Sequence, residues 1–136
     1  MLLEVLVVIV LFALGVLAIV DLQLVAIQQS SAAKSRADAS FLANDVIGRM
    51  WLSDRNSAAL ATDFTTGGPQ YALWLPAVVA TLPGSAANPP TVSVVAITDP
   101  PGATASSRVT VRLFWKAPNE PVAEPAHEMT VVAQIR

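Results

Sequence analysis

The chain has 136 residues, 54% of them hydrophobic and only 13% charged, with 8 Lys plus Arg against 10 Asp plus Glu and a net charge of −2. Soluble domains carry about 25% charged residues, so part of this apolar surface is destined for lipid or for other chains. The length excludes two enzyme-sized lobes, the absence of Cys excludes disulfides and thiol chemistry, and scattered single cations offer no basic face to a nucleic acid.

The first element is apolar. Val5 to Val20 reads VLVVIVLFALGVLAIV without a charged side chain, and Met1, Leu2 and Leu3 extend the run on the far side of Glu4. Twenty helical residues cover roughly 30 Å, the hydrocarbon thickness of a bilayer. A secretory signal would need a basic n-region and a small-residue cleavage site. Instead Glu4 precedes the apolar core, and Asp21, Leu22 and Gln23 follow it. A carboxylate placed among apolar residues costs a few kcal/mol unless it finds a partner or reaches water at the interface. Asp21 falls where the far bilayer boundary would lie.

The helical pattern continues beyond Val20. All ten prolines lie at or beyond Pro69, and neither Gly nor Pro interrupts the chain between Val16 and Ile47. One helix over about residues 2–53 is expected, with a membrane half over 1–27 and the head over 28–136. Leu24, Ala32, Phe41, Leu42, Val46, Met50 and Trp51 recur among polar residues, and Leu42, Val46 and Met50 form an i, i+4, i+8 stripe. Lys34, Arg36, Asp38, Asn44, Asp45 and Arg49 are available to a wet face. Asp45 and Arg49, four apart, suit a helix-surface ion pair.

Ser53 to Asn56 end this periodicity, and Thr65, Thr66, Gly67, Gly68 and Pro69 form a breaker cluster. Between them Ala58 to Phe64 is open between loop and a turn of helix. A short helix is expected over about 71–82, where Pro76 is tolerated if it sits in the first turn, with Trp74, Val78 and Leu82 on one face. Three runs of alternating polarity follow, over 91–98, 107–116 and 127–136. In the second, Val109, Val111, Leu113 and Trp115 point one way; in the third, Met129, Val131, Ala133 and Ile135 do. Proline-rich links over 99–102 and 118–125 leave no room for a crossover helix, so the strands read as an antiparallel meander. Only the amphipathic half of the first helix is long enough to cover its apolar face.

The fold class is therefore α+β, a long helix packed against a small antiparallel sheet. Phe41, Leu42, Val46, Met50, Trp51, Trp74, Val111, Leu113, Trp115 and Val131 are the expected head core, the three tryptophans being core rather than a ligand cage. His127 is the only histidine and reads as a strand-edge residue. With no Cys beside it, no catalytic constellation, metal site or cofactor is expected, and the chain reads as a non-enzyme.

Taken together, an apolar N-terminal helix with an early Glu, continued as the spine of a sheet-wrapped head, resembles the type IV pilins. MLLEVLVVIVLFALG resembles the methylated pilins and pseudopilins, whose precursors are cut by a prepilin peptidase just before this segment. On that resemblance the chain is a mature form. Along the helix, Leu22–Gln23, Ser31–Ala32, Ala43 to Asp45 and Arg49–Met50 are similar to minor pilins of the PilV type. The likeness covers the first fifty-odd residues and, more loosely, the segment from Trp74 to Gly84 and the strand from Arg112 to Trp115. It departs from the family in two ways: the glutamate is fourth where the family has it fifth, and the prolines that bend the family's apolar helix are missing. Gly15 is left as the flexible point.

What the resemblance implies is a minor pilin. Such a protein is held in the bacterial inner membrane with its head in the periplasm, then joins other minor pilins in a complex that primes or tips the pilus. Glu4 would pair with the N-terminal amine of a neighbour, a role that also involves Met1, and Val5, Val8, Leu11, Phe12, Gly15 and Ile19 would pack between helices. Implied partners are other minor pilins, the major pilin, the inner-membrane assembly platform and a tip adhesin of the PilY kind, with adhesion and twitching motility downstream. Two alternatives stand beside it: a type II secretion pseudopilin, and a single-pass anchored periplasmic binding module.

Overall fold

The computed structural model describes residues 1–98, 106–118, 120, 121 and 123–136. It is an α+β chain with the order α1 (Leu2–Leu52), α2 (Ser57–Phe64), α3 (Pro69–Thr81), β1 (Thr91–Ile97), β2 (Ser106–Trp115) and β3 (His127–Ile135). The expected link at 99–102 lies outside the described residues, as do positions 119 and 122 of the link at 118–125. Packing divides the chain into two compact units, Met1–Lys34 and Ser35–Arg136.

The first unit is helical from Leu2 onward and every residue in it is exposed. Its limit follows packing rather than apolarity: Gln28 to Lys34 are polar or small and none is buried, so they stay outside the head although they lie past the apolar run.

In the second unit α1 buries Ala39, Leu42, Ala43, Val46, Ile47 and Met50, a stripe at helical spacing. Ala39 and Ala43 keep that face low, and the buried Trp74 of α3 is tied to it, its Nε1–H donating to the Leu42 carbonyl at 3.2 Å. Trp74, Val78 and Leu82 share the buried side as their spacing predicted. The segment left open in the sequence is helix α2, started by Asn56, whose side-chain oxygen accepts from the Ala58 N–H at 3.0 Å. Leu60 and Phe64, four apart, are its buried residues.

Pro76 is not in the first turn of α3. The helix starts at Pro69, so Pro69 takes the N-terminal position that needs no amide donor, and Pro76 sits in the interior. Gly68 precedes it because a Cβ there would collide with the Asp63 carbonyl at the end of α2. Gly84 is required for another reason: its φ is +75°, and a Cβ would lie 3.1 Å from that of Lys116. The Lys116 N–H donates to the Pro83 carbonyl at 2.9 Å, fastening this turn to the end of β2.

The sheet is antiparallel in the order β1-β2-β3. Central β2 carries Val109, Val111 and Leu113, fully buried, and Trp115 at 5% exposure. On β3, Ile135 is fully buried while Met129, Val131 and Ala133 pack partly buried against the same core. These residues and the α1 stripe belong to one apolar cluster, as expected of a helix-covered meander.

Two of the expected core residues are on the surface. Phe41 is 72% exposed and Trp51 45%. The reason is angular: successive helical residues are about 100° apart, and a stripe centred between Leu42 and Met50 leaves Phe41 on the opposite side and carries Trp51 past its edge. Apolar character placed both in the core list; phase puts them outside it.

Candidate functional site

The most unusual surface of the chain is the first half of α1. It has the length and composition of a membrane-crossing helix, and none of it is buried within the chain. An ordinary amphipathic helix would keep one polar side, whereas Val5 to Val20 is apolar around its whole circumference. Val5, Val8, Leu11, Phe12 and Ile19 are each more than half exposed. With Glu4, Gly15 and Leu22 they fall on one broad face by helical phase, whereas Asp21 falls on another. A Cβ at Gly15 would meet nothing within 4 Å, so the missing side chain answers no need inside the chain. It leaves a notch where another backbone can approach, as small residues do between membrane helices.

Glu4 stands in the first turn of α1, where a carboxylate opposes the positive end of the helix dipole. The Met1 carbonyl accepts from the Val5 N–H at 3.2 Å, so Met1 is held as the residue before the helix. Among the described residues no ion pair and no side-chain hydrogen bond engages Glu4. The resemblance implies that Glu4 pairs with the N-terminal amine of a neighbouring pilin, and among the described residues no ion pair takes its place.

On the head the expected polar pair is present. Arg49 and Asp45 meet at 2.9 Å on the helix surface, a contact worth about 0.3–0.5 kcal/mol when solvent-screened. His127 opens β3 opposite Trp115, stacks on that ring at 5.8 Å, and meets Glu120 at 2.6 Å through Nε2. The other Glu120 oxygen accepts from the Ala117 N–H. The hydrogen bond with His127 holds the Glu120 carboxyl below its ordinary value. Likewise the hydrogen bond from Arg112, seconded by Thr130, lowers that of Glu128. Both clusters pin β3 and its approach to β2.

Sequence reasoning passed over two features of the head. Tyr71 is buried and donates its hydroxyl to the Pro90 carbonyl at 2.8 Å; burial raises its phenol above the ordinary range. A polar cleft of about 400 Å³ also opens where α2 begins, lined by Asp54, Arg55, Asn56, Ser57, Ser106, Ser107 and Arg136. Its members come from three places in the chain, and no local spacing announces it. Comparisons of the chain with protein-family profiles, with characterised proteins and with solved structures return no match.

Proposed function

We propose that the chain is a minor type IV pilin, acting by assembly rather than catalysis. It waits in the inner membrane with its head in the periplasm and then joins other minor pilins in the complex that primes or tips the pilus. The observation that carries this reading is the division of labour within one unbroken helix. Residues 1–34 bury nothing within the chain, and the same helix continues as the spine of a small antiparallel head. A plain anchor needs neither the continuity nor a carboxylate at its apolar end.

Two solvents then act in sequence on the same surface. Lipid solvates Val5 to Val20 before assembly, and neighbouring helices replace lipid afterwards, with little hydrophobic gain because tails are as apolar as Leu. Directionality must come from polar groups, and Glu4 supplies one. An arriving subunit whose N-terminal amine meets the desolvated carboxylate removes the penalty of a buried unpaired charge, which fixes register and favours the correct partner.

The test is genetic and biochemical. A strain lacking the gene should lose most major pilin from its sheared surface fraction, with recovery on complementation. Exchanging residues 1–27 for an unrelated membrane helix should fail to complement. Undiminished piliation without the gene would refute the priming role; if protein export fails instead, the pseudopilin alternative takes its place. A binding module would survive the helix exchange.

A further inference from the structure

We propose that the link between β2 and β3 is closed by a pH-sensitive latch, in which a charged His127 holds Glu120 and the discharge of His127 through the neutral range lets the link open. Glu120 is the bridging group. One of its oxygens meets His127 Nε2 at 2.6 Å at the start of β3, and the other accepts from the Ala117 N–H at 3.1 Å just past the end of β2. The Glu120 N–H in turn donates to the Ala117 carbonyl at 3.1 Å, so backbone and side chain close the same turn. Two strand ends are thus tied through one carboxylate that belongs to neither strand.

Histidine ordinarily changes charge between pH 5 and 8, and both contacts of this ring depend on that charge. An imidazolium offers the carboxylate a charged donor, whereas a neutral ring offers only a dipole, and in one tautomer alone. The Trp115 ring, stacked on His127 at 5.8 Å with 28° between the planes, also attracts a cation over its face more strongly than a neutral ring. Neighbouring side chains do not share this response. The strand beside β3 is β2, and it places the uncharged Trp115 opposite His127. Lys116 follows, sending Nζ to the Glu124 carbonyl at 2.7 Å as a second tie across the link and adding attraction to Glu120. Glu128, next on β3, is held by Arg112 and Thr130, and the Glu124 carboxylate makes no ion pair among the described residues. Lysine and arginine keep their charge across the neutral range, and carboxyl groups ordinarily titrate below it. His127, the only histidine, is therefore the group that sets the response.

With 47% of the His127 side chain exposed, solvent screens the pair, so the latch should open only about two- to fivefold more often near pH 7.5 than near pH 5.5. Amide hydrogen exchange of the full chain in detergent micelles reads this at Ala117, whose N–H is spent on Glu120. Its protection, corrected for the intrinsic rate, should be greater by that factor at the lower pH, with the step centred where the His127 ring resonance titrates. The Val111 amide, in the middle of β2, should show no step. His127→Gln keeps a donor but cannot titrate, and should abolish the step. Glu120→Gln keeps an acceptor for Ala117 but no charge, and should shrink it. Glu124→Gln, which retains the carbonyl that Lys116 holds, should leave it intact. Equal protection of Ala117 at the two pH values, a step of the same size at Val111, or a step that persists in His127→Gln would overturn the proposal.

Discussion

Trp51 and Trp74 are the same residue type in the same head and have opposite fates. Trp74 is fully buried and bonded to the spine of α1, so Trp74→Ala should cost about 3–5 kcal/mol. Trp51 and Phe41 face outward, and Ala at either should shift stability by no more than about 0.5 kcal/mol. Thermal melts of the three variants check the contrast, and equal losses would restore Trp51 and Phe41 to the core. The two lowered carboxyls give a pH dependence of definite sign. A group whose folded value lies below its ordinary 4.5 stabilises the fold above that value, and the contribution is lost as pH falls through the folded one. The melting temperature should therefore decline as pH drops below about 4.5, and Glu120→Gln with Glu128→Gln should flatten that decline.

At the scale of elements, what could be read in advance was whatever had a period. The alternation Val109, Val111, Leu113, Trp115 gave β2 within a residue of its limits, and Leu42, Val46, Met50 gave the buried side of α1. What escaped depended on contacts distant in sequence. Helix α2 is short and becomes definite only through the Asn56 cap and its burial of Leu60 and Phe64. The start of α3 is decided by Gly68 against Asp63, which is why Pro76 falls mid-helix. The cleft joins Arg55, Ser107 and Arg136, residues that no linear spacing relates. Gly84 illustrates the strongest such constraint. Replacement by Ala would meet both the left-handed backbone and Lys116, and should destabilise by more than about 1 kcal/mol; a melt unchanged by Gly84→Ala would show that the turn can relax.

For the whole molecule, one helix serves two environments. Beyond Lys34 it is held by a conventional core. Before that point all its residues are exposed, and on the proposed reading Gly15 and Glu4 are features meant for another molecule. Gly15→Leu should leave membrane insertion intact, since hydropathy rises, yet fill the notch and reduce incorporation into filaments. Comparing membrane and sheared fractions of that variant tests the notch, and normal incorporation would show that nothing packs there.

Assembly through an apolar helix with one charged lock is tested most directly at Glu4. The measurement is the amount of this protein in the sheared filament fraction, relative to the membrane fraction, for wild type and Glu4→Ala expressed at equal levels. Removing the carboxylate makes the segment more apolar and cannot weaken its hold on lipid, so the variant should remain in the membrane and disappear from filaments. Recovery of Glu4→Ala in filaments at the wild-type ratio would contradict the assembly role assigned to this residue and the reading built on it.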